Sequence, residues 1–84
     1  MEIKLTIPEY SAHGLALDWE KSFEIQVSFD HGAMMISANK AGLISLAKQL
    51  LTLAQDEVPK GAHLHYDEYN SLEVGSADMI IEKR

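Results

Sequence analysis

The sequence predicts an α+β fold: an antiparallel β-sheet with one amphipathic helix packed on one face, in the order four strands, helix, two strands. Three observations predict it. Phe23, Ile25, Val27 and Phe29 alternate with Glu24, Gln26 and Ser28, the two-residue period of a half-buried strand. Apolar residues from Leu43 to Ala54 recur at three- and four-residue spacing, the period of a helix. The chain has 84 residues with no repeat, linker or low-complexity tract, so residues 1–84 make one domain.

The elements follow in order. Ile3, Leu5 and Ile7 alternate with Glu2, Lys4 and Thr6, which predicts a first strand ended by Pro8. Leu15, Leu17 and Trp19 alternate with Ala16, Asp18 and Glu20 and predict a short second strand, with Trp19 turned to the core. Phe23–Phe29 is the third strand. Asp30-His31-Gly32 supplies hairpin turn chemistry, and Ala33–Ala38 returns as the fourth strand. Met34 and Met35, being adjacent, cannot both lie beneath one helix. Asn39 is placed to cap a helix whose predicted apolar face is Leu43, Leu46, Ala47, Leu50, Leu53 and Ala54. Lys48, Gln49, Thr52, Gln55 and Asp56 are predicted on its solvent side, over a length of about 24 Å at 1.5 Å per residue. Pro59 and Gly61 end it. His63–Asp67 reads as a strand, Asn70–Ser76 as a loop turning at Gly75, and Ala77–Lys83 as the last strand. Glu24, Gln26, Ser28, His63, His65 and Asp67 are expected on the open, polar face of the sheet.

Composition narrows the functional classes. There is no cysteine, which excludes disulfides and thiolate metal sites and suits a reducing cytoplasm. No basic segment leads into an apolar run, so no signal peptide is expected, and the Gly42–Ala54 stretch is too short and too interrupted to cross a bilayer. The formal net charge is −6, and residues 56–82 carry seven acids against Lys60 alone. Such a field disfavours nucleic acid and anionic membrane and favours a basic protein surface.

Sites for chemistry are scarce. His63, His65 and Asp67 share one face of their strand, a weak metal-ligand pattern for which His13 or His31 could supply a further ligand. At a protein contact the same histidines would confer pH sensitivity. No serine lies in a nucleophile elbow and the five glycines are scattered singly, so neither nucleophilic catalysis nor a phosphate loop is expected. The chain reads as a binding protein, not an enzyme, and without a cofactor. The expected partner-binding residues are Asp56, Glu57, Asp67, Glu68, Tyr69, Glu73 and Asp78, with Tyr69 an exposed anchor among acids. Asp56 and Glu57 lie near the negative end of the helix dipole, a position that a basic partner would relieve.

Four segments carry a family likeness: Gly14-Leu15 with Trp19-Glu20, Asn39-Lys40-Ala41-Gly42-Leu43 with Leu46-Ala47, Pro59-Lys60-Gly61-Ala62-His63-Leu64-His65, and Ser71-Leu72-Glu73-Val74-Gly75-Ser76. In order and spacing, from Gly14 to Lys83, they resemble the immunity protein 32 family of bacterial toxin-neutralising proteins. Where members of that family often have a second acid after the Leu-Glu pair, this chain has Val74. The resemblance implies a cytoplasmic inhibitor that binds a cognate toxin. The alternatives are a small interaction or regulatory module, homodimeric through exposed strand edges, and a minor metal-binding protein built on His63 and His65.

Overall fold

A computed structural model describes all 84 residues. Two hairpins flank one helix: β1 (Ile25–Asp30) with β2 (Ala33–Ala38), α1 (Lys40–Leu53), then β3 (His63–Tyr66) with β4 (Met79–Glu82). Both hairpins are antiparallel, and each forms its own two-stranded sheet. The expected α+β class holds, while the single six-stranded sheet is corrected to two pairs.

The strands expected at Ile3–Ile7 and Leu15–Trp19 do not form. Residues 1–20 are irregular apart from one bridge between Ser11 and Gly14. No ladder forms for their alternation to follow: Ile3 and Leu5 line an apolar cleft with Leu43, Ile44 and Ala47 of the helix, and Leu17 is exposed. Leu15, Trp19 and Phe23 pack on the core, and Trp19 stacks on Phe23 with ring centroids 4.3 Å apart. The segment is pinned from the helix and the turn after it instead. Glu20 N–H donates to Ser45 Oγ (2.8 Å), Gln49 Nε2 to the Asp18 carbonyl (2.9 Å), and Gln55 Nε2 to the Pro8 carbonyl (2.9 Å).

The first hairpin forms as its sequence predicts. His31 and Gly32 both have positive φ, 50° and 78°, the requirement of a type I′ turn whose twist matches the strands. Asn39 then caps the helix. Its Oδ1 accepts from the N–H of Gly42 (2.8 Å) and of Glu24 (3.0 Å), so one side chain fixes both the first helical turn and the strand beside it. Gly42 lies against β1: a Cβ there would stand 2.5 Å from the Glu24 carbonyl oxygen and 2.9 Å from Ile25 Cγ1.

The helix is shorter than expected and turned over. Its 14 residues span about 21 Å, and it buries Gly42, Ser45, Leu46, Gln49, Thr52 and Leu53, leaving Leu43, Ala47, Leu50, Leu51 and Ala54 exposed. The expected apolar face is therefore mostly outward. Glycine and hydroxyl residues face inward because they allow close approach, and their polar groups are internally satisfied. Ser45 donates to the Ala41 carbonyl and Thr52 to that of Lys48, both at 2.8 Å. No buried side-chain polar atom lacks a partner.

The core comprises Ile25, Val27, Leu46, Leu53, Val58, Leu64, Tyr66, Leu72 and Met79. Two backbone hydrogen bonds stitch the hairpins across it: Glu73 N–H to the Ile25 carbonyl and Ala77 N–H to the Val27 carbonyl, each 2.9 Å. Ser76 Oγ accepts from Val27 N–H (3.2 Å). The segment 73–77 thus occupies the inner edge of β1, and β2 forms the outer margin of the molecule.

Candidate functional site

The loop between β3 and β4 gathers most of the predicted binding residues, and its own carboxylates hold it in shape. Asp67 Oδ1 accepts from the N–H groups of Tyr69 and Asn70, both at 2.9 Å, the local bonding that makes Asp a turn residue. Asn70 reciprocates, its Oδ1 accepting from Asp67 N–H (3.1 Å) and its Nδ2 donating to the His65 carbonyl (3.0 Å). Ser71 Oγ donates to Asn70 Oδ1. Glu68 Oε2 reaches forward to accept from Gly75 N–H (2.9 Å), where the chain turns with positive φ. Leu72, buried, anchors the loop to the core.

That framework leaves two large side chains outside. Tyr69 is 91% exposed and Val74 87% exposed. Glu73 and Asp78 are also exposed, while Asp67 and Glu68 are half-buried with oxygens committed to the backbone. The acids therefore divide by task. Asp67 and Glu68 shape the loop, and Glu73 and Asp78 present free or partly free charge on the same loop as Tyr69.

Asp56 and Glu57 lie elsewhere. The helix stops at Leu53 with Ala54 as its cap, so both acids fall in the following turn, outside the helix. Lys83 Nζ donates to the carbonyls of Gln55 and Val58 that flank them. Lys83 follows Glu82, which pairs with His63 at one end of the β3–β4 ladder; the 67–78 loop springs from Tyr66 and Met79 at the other. Lys60, Lys83 and Arg84 line one shallow cleft at the Lys83 end. Five of the seven predicted binding residues thus lie on one loop, and Asp56 and Glu57 stand apart, Glu57 lining a cleft with Glu9, Tyr10 and Gln55.

The weak metal candidates do not converge. His63 and His65 share the exposed face of β3, but His63 Nδ1 lies 3.4 Å from the Gly61 carbonyl and His65 Nε2 lies 3.3 Å from Asp78 Oδ2. The Asp67 carboxylate is turned to its own loop, and no three His, Asp or Glu groups surround a common point.

Sequence reasoning missed the group that ties this loop's base to the helix. Tyr66 Oη donates to Gln49 Oε1 at 2.7 Å in the core, and Gln49 Nε2 passes the bond on to the Asp18 carbonyl. Burial pushes the Tyr66 phenol up to about 12. The available signal was that a buried tyrosine hydroxyl needs a partner; nothing in the spacing singled out Gln49.

Comparison with curated proteins and with solved structures finds no match. A family model described as Immunity protein 32 matches residues 33–84, which takes in β2, the helix and the whole β3–loop–β4 unit. Because that match covers more than half of the chain, the protein belongs to the immunity protein 32 family.

Proposed function

We propose that this protein is a cytoplasmic immunity protein that neutralises a cognate toxin by binding it, without catalysis, through the acidic loop 67–78. The observation that carries this reading is the conjunction of family membership with a hydrogen-bonded loop that exposes Tyr69, Glu73 and Asp78. A tyrosine held outward on a hydrogen-bonded loop offers contact area at low entropic cost, the property of interface anchors. The surrounding negative charge would steer association with a basic surface, such as that of an enzyme acting on a polyanion. Val74, exposed beside Glu73, adds an apolar contact. Asp56 and Glu57 form a secondary contact only for a toxin large enough to reach both ends of the β3–β4 hairpin.

The test begins with capture of the cognate toxin domain by the tagged protein, which is then purified and titrated by calorimetry at two salt concentrations. Tyr69→Ala is expected to weaken binding by about thirtyfold or more, the scale of a central anchor. Glu73→Lys with Asp78→Lys is expected to weaken it further at low salt and to flatten the salt dependence. Unchanged affinity in both variants would remove this loop as the site, and failure of the protein to protect cells from the toxin would remove the role.

A further inference from the structure

We infer that the free edge of β2 is a self-association surface, where a second copy of this chain adds its own β2 in antiparallel register centred on Ile36. This stands independently of the toxin reading, since it uses the opposite margin of the molecule from the 67–78 loop.

The hydrogen-bond phase of the hairpin identifies the free groups. Asp30 and Ala33 close a two-residue turn and so exchange hydrogen bonds, as do Ser28 with Met35 and Gln26 with Ser37 by alternation. The bond from Asn39 N–H to the Glu24 carbonyl (3.1 Å) continues the same phase. The N–H and C=O groups of Met34 and Ile36 therefore point away from β1. No other hydrogen bond in the molecule involves them. On β1 the outward carbonyl of Ile25 and both outward groups of Val27 are taken by Glu73, Ser76 and Ala77.

This edge lacks the devices that keep edges apart. From His31 to Asn39 there is no Asp, Glu, Lys, Arg or Pro. Met34 and Ile36, which share the core-facing side with Ile25 and Val27, are 52% and 40% exposed, and Met35 on the other side is 53% exposed. Phe29, across from Met34, is 69% exposed. The molecule's surface is 6066 Å², against roughly 5,000 Å² expected for its mass. Covering the β2 edge and its side chains would bury roughly 500–700 Å² per protomer, near the lower end of stable interfaces.

Symmetry favours a second copy as the occupant, because an antiparallel strand edge is complementary to itself. Two chains of charge −6 repel, and this margin is where an approaching copy meets no carboxylate on the pairing strand. Pairing Ile36 with its own counterpart sets Met34 against Ala38 and brings Lys40 near the turn that carries Asp30 on the other copy. The arrangement is self-complementary, as a twofold interface requires. The two acidic loops then lie at the far ends of one extended sheet, both open to a partner.

Sedimentation equilibrium of the isolated chain across the micromolar range tests this. The expected mass rises with concentration from 9.4 kDa toward twice that value. Ile36→Lys, which sets like charges together at the twofold, is expected to raise the dissociation constant about a hundredfold or more. Ile36→Cys keeps the site apolar and introduces the only thiol in the chain. Its Cα atoms would lie about 5.5 Å apart across a hydrogen-bonded pair, within disulfide range. Mild oxidation should therefore yield a covalent dimer from Ile36→Cys and little from Ser37→Cys, whose partners are offset. A mass fixed at 9.4 kDa throughout the range, or equal cross-linking of the two cysteine variants, overturns the proposal. The first result would leave the edge to a strand of the toxin.

Discussion

The two hairpins start from similar apolar content and end in different states. In β3, Leu64 and Tyr66 are buried in the core and His63 and His65 exposed, a clean alternation. In β2, Met34, Met35 and Ile36 are all substantially exposed, and only Ala38 is half-buried, beside Gly42. The difference follows from how α1 sits. Its N-terminus is fastened to β1 and β2 through Asn39 and Gly42, and its later turns serve β3 through the Gln49–Tyr66 bond. One helix of 14 residues cannot cover both hairpins. The strand left bare, β2, lacks charge as well as cover, whereas β3 is buried on its inner side and leads into the acidic loop. Hydrophobic strand content thus sets which segments pair, and helix placement sets which of them is finished by the monomer alone.

The contrast can be broken by truncation. Leu64→Ala should destabilise the protein by about 2–4 kcal/mol, because a closed core leaves a cavity, whereas Met34→Ala should cost less than about 1 kcal/mol in dilute monomer. Urea denaturation of the two variants measures both. Equal losses would mean that β2 is as well packed as β3.

Next in size is the polar bridge. Gln49→Ala strands the buried Tyr66 hydroxyl and frees the Asp18 carbonyl, an expected loss of about 1–3 kcal/mol. Tyr66→Phe applied to that variant should recover part of the loss by removing the orphaned donor, which a double-mutant cycle reads directly.

Alkaline titration sharpens the same point. The Tyr66 phenol is raised to about 12 in the folded state from an ordinary value of 10.0. Between these values the unfolded chain has released this proton and the folded chain retains it, so stability falls as pH rises across that window. Tyr66→Phe should flatten this part of the decline in melting temperature.

Smaller again is the helix anchor. Gly42→Ala gains helix propensity of about 1 kcal/mol but drives a methyl into the Glu24 carbonyl, an overpacking cost of about 1–3 kcal/mol. A modest net loss, with loosened hydrogen-exchange protection at β1, is the expected result. A gain in stability would show that the helix can lift from the hairpin without penalty.

Local signals in the sequence were sufficient for the β1–β2 hairpin, for Asn39 as a cap, for β3 and β4, and for a turn at Gly75. Each is written in neighbouring residues: alternation, a turn pair, a capping side chain. Tyr69 was legible as exposed because no pattern held it inward. The family likeness from Asn39 onward also lay in the sequence, and the match to residues 33–84 carries it. Residues 1–20 were misjudged because alternation cannot tell a paired strand from a segment that packs single side chains. The helix face was misjudged for a related reason: hydrophobicity ranks residues by their cost in water, yet a close helix–strand contact selects for small size and satisfied hydrogen bonds. Gly42, Ser45, Gln49 and Thr52 meet that demand through partners distant in sequence or one turn back along the helix.

The sequence by itself determined the α+β class, the hairpins, the helix span to within one turn and the acidic character of the last third, because these depend on contacts a few residues apart or on composition. Only the tertiary structure decided that the acids divide between two ends of a hairpin, that Asp67 and Glu68 are committed to their own loop, and that β2 keeps an open edge. Those outcomes turn on where one helix lies across two hairpins, a matter of packing geometry that no local pattern encodes.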